Sequence, residues 1–126
     1  MTFLLPRKCP DWNRLEQCGF NLSDIYNMSE VKRLMDEATF ILFSKKLNPR
    51  FEMYDGYRDK TIFMQHGTIS DISDCMWYIR GRIAGFAKYI LCSAEWEKNI
   101  ISNGCHTIVP VDTGLPRHDF LLRRHK

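Results

Sequence analysis

The chain has 126 residues, 44% hydrophobic and 26% charged, with a net charge of +3; this fits one ordinary globular domain with a real core. The mild positive balance suits a phosphate-bearing ligand and makes no demand for nucleic acid, and no apolar run approaches a membrane span. The N-terminus lacks a signal-peptide pattern, since Pro6, Arg7 and Lys8 cut short Met1 to Leu5, and five cysteines without CxxC spacing argue for reduced thiols in a cytoplasmic protein, against both a disulfide framework and a zinc site.

Phe3-Leu4-Leu5 reads as a first short strand. Asp11 is placed to cap a helical turn through Trp12, Leu15 and Cys18 that Gly19 ends. Phe20 to Tyr26 suggests a short extended piece. Ser29 then opens an amphipathic helix, with Val31, Leu34, Met35 and Ala38 at the i, i+3, i+4, i+7 spacing and Glu30, Lys32, Arg33 and Asp36 toward water.

Thr39 to Ser44 is the next buried strand, and Lys45 to Asp59 a long irregular loop, a length usually reserved for function or motion. Thr61 to Met64 is β-branched, aromatic or apolar throughout and reads as a strand buried on both faces. A helix is expected around Met76 to Ile83, then a strand from Ala87 to Cys92. Ser93 is placed to cap the following helix, with Glu95 and Glu97 in its first turn favoured by the macrodipole, and Trp96, Ile100 and Ile101 as its buried face. Asn103-Gly104 stops that helix, and Thr107 to Val109 with Val111 makes the last strand.

Strands and helices alternating in this way predict an α/β fold: a Rossmann-like, mostly parallel sheet with flanking helices, in a single domain over residues 1–126. The glycine-rich dinucleotide fingerprint and the P-loop are both absent, so nothing supports a nicotinamide or simple ATP site. No Asp/Glu/His cluster shows metal-ligand spacing.

Two segments stand out chemically. Gln65-His66-Gly67 follows a strand, and Ser70, Asp71 and Ser73 behind it are candidate helix N-caps. A residue after the last sheet position lies at the carboxyl edge, where open parallel sheets bind ligands. His66 has a side chain suited to proton transfer near neutral pH, although a lone histidine is more often a hydrogen-bonding residue. The second segment is Thr113-Gly114-Leu115-Pro116-Arg117-His118-Asp119. Pro116 stiffens it, a guanidinium at Arg117 can grip phosphate or carboxylate, and Asp119 is near enough to orient it. A plain structural turn with a surface arginine accounts for the same residues.

Taken together and in this order, the segments resemble the CDP-glycerol glycerophosphotransferases, the enzymes that polymerise teichoic acid. Phe63-Met64-Gln65-His66-Gly67 is similar to that family's Phe-Leu-Gln-His-Gly, and Asp71 with Ser73 to its Asp-x-Ser. Tyr89 to Glu97 looks like its strand, serine and glutamate-led helix. Thr113 to Asp119 is similar to Thr-Gly-Leu-Pro-Arg-Tyr-Asp, with His118 replacing the aromatic, and Leu34 to Ser44 matches a further helix and strand with Thr39 in place of lysine. The likeness covers roughly Ser29 to Leu122.

The resemblance implies the acceptor-side half of a glycosyltransferase-B type fold, the donor-binding half with its Pro-Thr-Trp-Arg-like motif being missing. It implies His66 as catalytic base, with Gly67, Thr68, Ser70, Asp71, Arg117 and Asp119 around substrate and phosphate. It also implies CDP-glycerol as a substrate with no cofactor, a lipid-linked polyol-phosphate polymer as acceptor, and a cytoplasmic protein that touches the membrane peripherally. Two readings compete with it. One is a non-catalytic α/β module that binds the polymer or a partner chain. The other is a histidine-type phosphatase, against which Gln65 stands in place of arginine and the motif sits mid-chain.

Overall fold

Short apolar runs separated by helices can lie side by side only through crossovers, and a crossover returns the chain in its original direction. Every strand pair among the described residues is accordingly parallel. The computed structural model describes residues 1–44, 56–64, 69 and 71–114. Its α/β architecture divides into two compact units, Met1–Thr39 and Phe40–Lys126.

In the first unit β1 (Thr2–Leu5) pairs with β2 (Asn21–Asp24), Phe3 opposite Leu22, and α1 (Trp12–Gln17) is the crossover. Gly19 ends α1 as its sequence position predicts, at φ +80. The Gly19 N–H donates to the Glu16 carbonyl and the Phe20 N–H to the Leu15 carbonyl, the bond pair of a Schellman close. Asp11 stands at the N-cap, yet its carboxylate pairs with Arg14 instead of the helix N–H groups. Trp12 is buried beneath the Arg7 guanidinium, 4.4 Å from its ring centroid.

α2 spans Met28–Glu37. Its cap is Asn27, not Ser29: the Asn27 side-chain oxygen accepts from the Glu30 N–H at 3.4 Å and from the Ser29 hydroxyl at 3.0 Å. Val31 and Met35 are buried as the periodicity predicts. On the outer side Arg33 reaches both Glu30 and Glu37, in ion pairs open to solvent that add little stability.

The second unit holds a sheet ordered β3-β4-β5-β6, formed by Ile41–Phe43, Thr61–Met64, Tyr89–Cys92 and Val109–Asp112. In register, Ile41 faces Thr61, Phe63 faces Ile90, and Ile90 faces Pro110. β3 is an edge strand, so the burial expected for it is only partial: Leu42 is 53% exposed. β4 also departs from the expectation of two buried faces. Thr61 and Phe63 are buried while Ile62 and Met64 are half-buried. Pro110 is tolerated because β6 lies at the other edge, where a missing N–H need not break a ladder.

The core lies on the Phe63–Ile90–Cys92 face, against Ile79, Ile83, Ile101 and Ile108. The helix over it starts four residues before the expected Met76. It opens as one α-turn, Ile72–Asp74, and continues as a π-helix, Cys75–Ile83; together they are α3. The four-residue spacing of Cys75, Ile79 and Ile83, all fully buried, feeds one apolar row into the core despite Gly81. At the amino-terminal edge, Arg58 sits in a 3₁₀ turn over residues 56–60. Its guanidinium donates to the Ala84 carbonyl at 2.9 Å and to the Thr107 carbonyl, joining the ends of two connections.

α4 (Glu95–Gly104) packs its last turn against Cys75. A Cβ on Gly104 would lie 2.8 Å from the Cys75 sulfur and 3.3 Å from its Cβ, both inside the core. Glycine here is a packing requirement as well as the helix stop read from the sequence. We expect Gly104→Ala to destabilise the chain by about 1–3 kcal/mol despite alanine's higher helix propensity. A denaturant midpoint equal to or above the unsubstituted chain's would show that α3 and α4 are less closely packed.

Candidate functional site at the carboxyl rim

A sequential parallel sheet sends every strand out at the same edge, so the segments following β4, β5 and β6 all start from one rim. The rim's organising group is Glu97. Its sequence position in the first turn of α4 suggests a solvent-facing carboxylate attracted to the helix N-terminus; instead the side chain is fully buried. Oε1 accepts the Ile69 N–H at 2.5 Å, and Oε2 accepts both the Ser93 N–H at 2.6 Å and the Ser93 hydroxyl at 2.7 Å. Three donors on a buried carboxyl group meet the requirement that buried polar atoms be satisfied.

This arrangement corrects the expected cap. The N-cap of α4 is Ala94, with no side-chain cap bond, and Ser93 spends its hydroxyl on Glu97. The inner face of α4 carries Glu97, Ile100 and Ile101, whereas Trp96 is 48% exposed. The signal was present in the sequence: Glu97 precedes Ile100 and Ile101 by three and four residues, so it shares their helix face.

Of the residues singled out from the sequence, Asp71 is exposed and its Oδ1 accepts from the Ser73 hydroxyl at 2.7 Å. The Asp71 carbonyl accepts the Cys75 N–H, closing the first turn of α3. His66, Gly67, Thr68, Ser70, Arg117 and Asp119 lie outside the described residues. The described positions that flank them are Met64, at the end of β4, Ile69 and Asp71, and Gly114, two residues past β6 with φ +68. Thr113 is tied back to the rim by its N–H on the Cys92 carbonyl at 3.3 Å. His106 is exposed. Among the described residues no group of acidic, histidine or cysteine side chains could hold a metal ion, and no helix is long and apolar enough to cross a membrane.

In the first unit, the carboxyl ends of β1 and β2 border a separate open cleft of about 410 Å³, lined by Pro6, Arg7, Lys8, Asp24 and Tyr26.

Cys92 closes β5 beneath the rim, and burial, reinforced by the nearby Glu97 and Asp112, pushes its thiol up to about 12. Burial raises Cys75 as well, with Cys105 beside it adding to the effect. A thiol reacts as its thiolate, so these sulfurs are inert by both access and ionisation. Brief alkylation of the folded chain at pH 8 should label exposed Cys18 and spare Cys75, Cys92 and Cys105 until denaturant is added, with peptide mass spectrometry as the readout. The linkage has a definite sign. Between the ordinary thiol value of 9.0 and about 12 the unfolded chain loses the Cys92 proton and the folded chain keeps it, so this group erodes stability as pH rises through that window and has no effect below it.

The fold and rim define an α/β protein of Rossmann-like character whose candidate site lies at the carboxyl edge of a parallel sheet. Comparison with protein-family models, curated proteins and solved structures finds no match for the chain.

Proposed function

We propose that the chain is the acceptor-side half of a phosphotransferase that moves glycerol phosphate, or a related polyol phosphate, from CDP-glycerol to a teichoic-acid-type polymer or its lipid-linked primer. The supporting observation is the common rim. Met64, which adjoins the first motif segment, and Gly114, which belongs to the second, leave β4 and β6 at the same edge with β5 alone between them. Open parallel sheets bind substrates at this edge.

In the reaction, a terminal glycerol hydroxyl of the acceptor attacks the β-phosphorus of CDP-glycerol. A new P–O bond forms, the bond from that phosphorus to the bridging oxygen breaks, and CMP leaves with the oxygen. The hydroxyl proton passes to the His66 imidazole. Arg117 and backbone N–H groups from Gly67 to Ser70 steady the phosphate oxygens, as cationic and N–H donors do in phosphoryl transfer. Asp71 and Asp119 take orienting roles. The donor is a substrate, a donor-binding domain completes the cleft, and the reaction runs at the cytoplasmic face of the membrane.

The test is CMP release from CDP-glycerol in the presence of a lipid-linked glycerol phosphate primer, with a donor-binding domain supplied. Primer-dependent CMP supports the proposal. Primer binding without CMP indicates a non-catalytic module, and phosphate released from a generic ester indicates a histidine-type phosphatase.

A further inference from the structure

Glu97 has a role that its helix does not need. A carboxyl group serving only as a cap would bond the N–H groups of its own turn; this one also reaches across the rim to Ile69, which follows β4. Ile69 is itself buried in the core cluster, only two residues after Gly67. One side chain therefore fastens two chain segments leaving neighbouring strands: the post-β4 segment through Oε1, and the β5–α4 turn through Oε2.

We infer that Glu97 is the positioning residue that fixes the segment following β4, held at Ile69, relative to the rest of the rim. The inference deepens the proposed function and rests on it for the link to catalysis, but the fastening itself can be tested separately. All three observed partners are donors, so both carboxyl oxygens must accept. Glutamine has almost the same shape, but its NH₂ would meet a donor on one side. Aspartate keeps both acceptors and is one methylene too short to span the same gap. The position thus requires glutamate for both chemistry and reach.

The test compares the unsubstituted chain with Glu97→Gln by NMR. In the variant the Ile69 or Ser93 amide should exchange with solvent faster by roughly tenfold or more, while the Ile90 amide in β5 stays protected. Unchanged exchange at both amides overturns the inference. Should Glu97→Gln fail to fold, Ser93→Ala removes only the hydroxyl donor and should speed exchange at the same two amides by a smaller factor; unchanged exchange overturns the inference equally.

In the CMP assay, Glu97→Gln should lower kcat and leave KM for CDP-glycerol unchanged, because the donor is held chiefly by the other domain. A variant with normal kcat and faster exchange at Ile69 overturns the positioning role. Absence of CMP from the unsubstituted chain refutes the phosphotransferase reading instead, and the NMR comparison then decides the fastening alone.

Discussion

In the proposed reaction, His66→Ala should lower primer-dependent CMP release by about a hundredfold to ten-thousandfold, the usual contribution of a positioned general base. The attacking hydroxyl is a poor nucleophile while it keeps its proton. Phosphoryl transfer otherwise leaves the protein little to do beyond alignment and charge stabilisation. An imidazole is suited to accepting that proton near neutral pH. His106→Ala, altering an exposed ring in the turn before β6, should leave the rate unchanged. Unaltered turnover in His66→Ala would remove the base assignment.

Local rules made much of the scaffold legible. Gly19 stops α1 because a left-handed residue is what its C-terminal bond pair requires, and glycine adopts that conformation without penalty. Val31 and Met35 fall where a 3.6-residue period puts them. The exceptions arose where a tertiary neighbour prevailed. Ser29 reads as the opening of α2, but the helix begins at Met28 because the Asn27 side chain caps it. Trp96 reads as part of the buried face, yet its neighbour Glu97 turns inward, where three donors, one from Ile69 and two from Ser93, compensate for burying it. The π-helix carries no signature in a periodicity tuned to the α-helix. At the rim, sequence order alone brought out the two motif segments. That their strands flank a single neighbour required the pairing of β4, β5 and β6.

Phe63→Ala should be the most damaging single truncation in the sheet, costing about 3–5 kcal/mol of a total stability that for a domain of this kind is about 5–15 kcal/mol. Phe63 is fully buried on an interior strand, opposite Ile90, in the cluster that holds Ile79 and Ile83. Its ring meets Phe86 edge-on at 6.4 Å, and Phe86 meets Phe43 in the same manner at 6.1 Å. Removing the ring leaves a cavity that the surrounding backbone can fill only by shifting β4, one strand over from the edge. Leu42 supplies the control. It is one residue from Phe43 on the opposite pleat of β3 and more than half exposed, so Leu42→Ala should cost less than about 1 kcal/mol. Urea unfolding read at several probes measures both changes, an unchanged m-value marking a pure loss of stability. Comparable costs for the two variants would mean that the apolar load is shared between the faces of the sheet. The one-sided core would then be wrong, and with it the reason Ile69 and Glu97 are buried together at the rim.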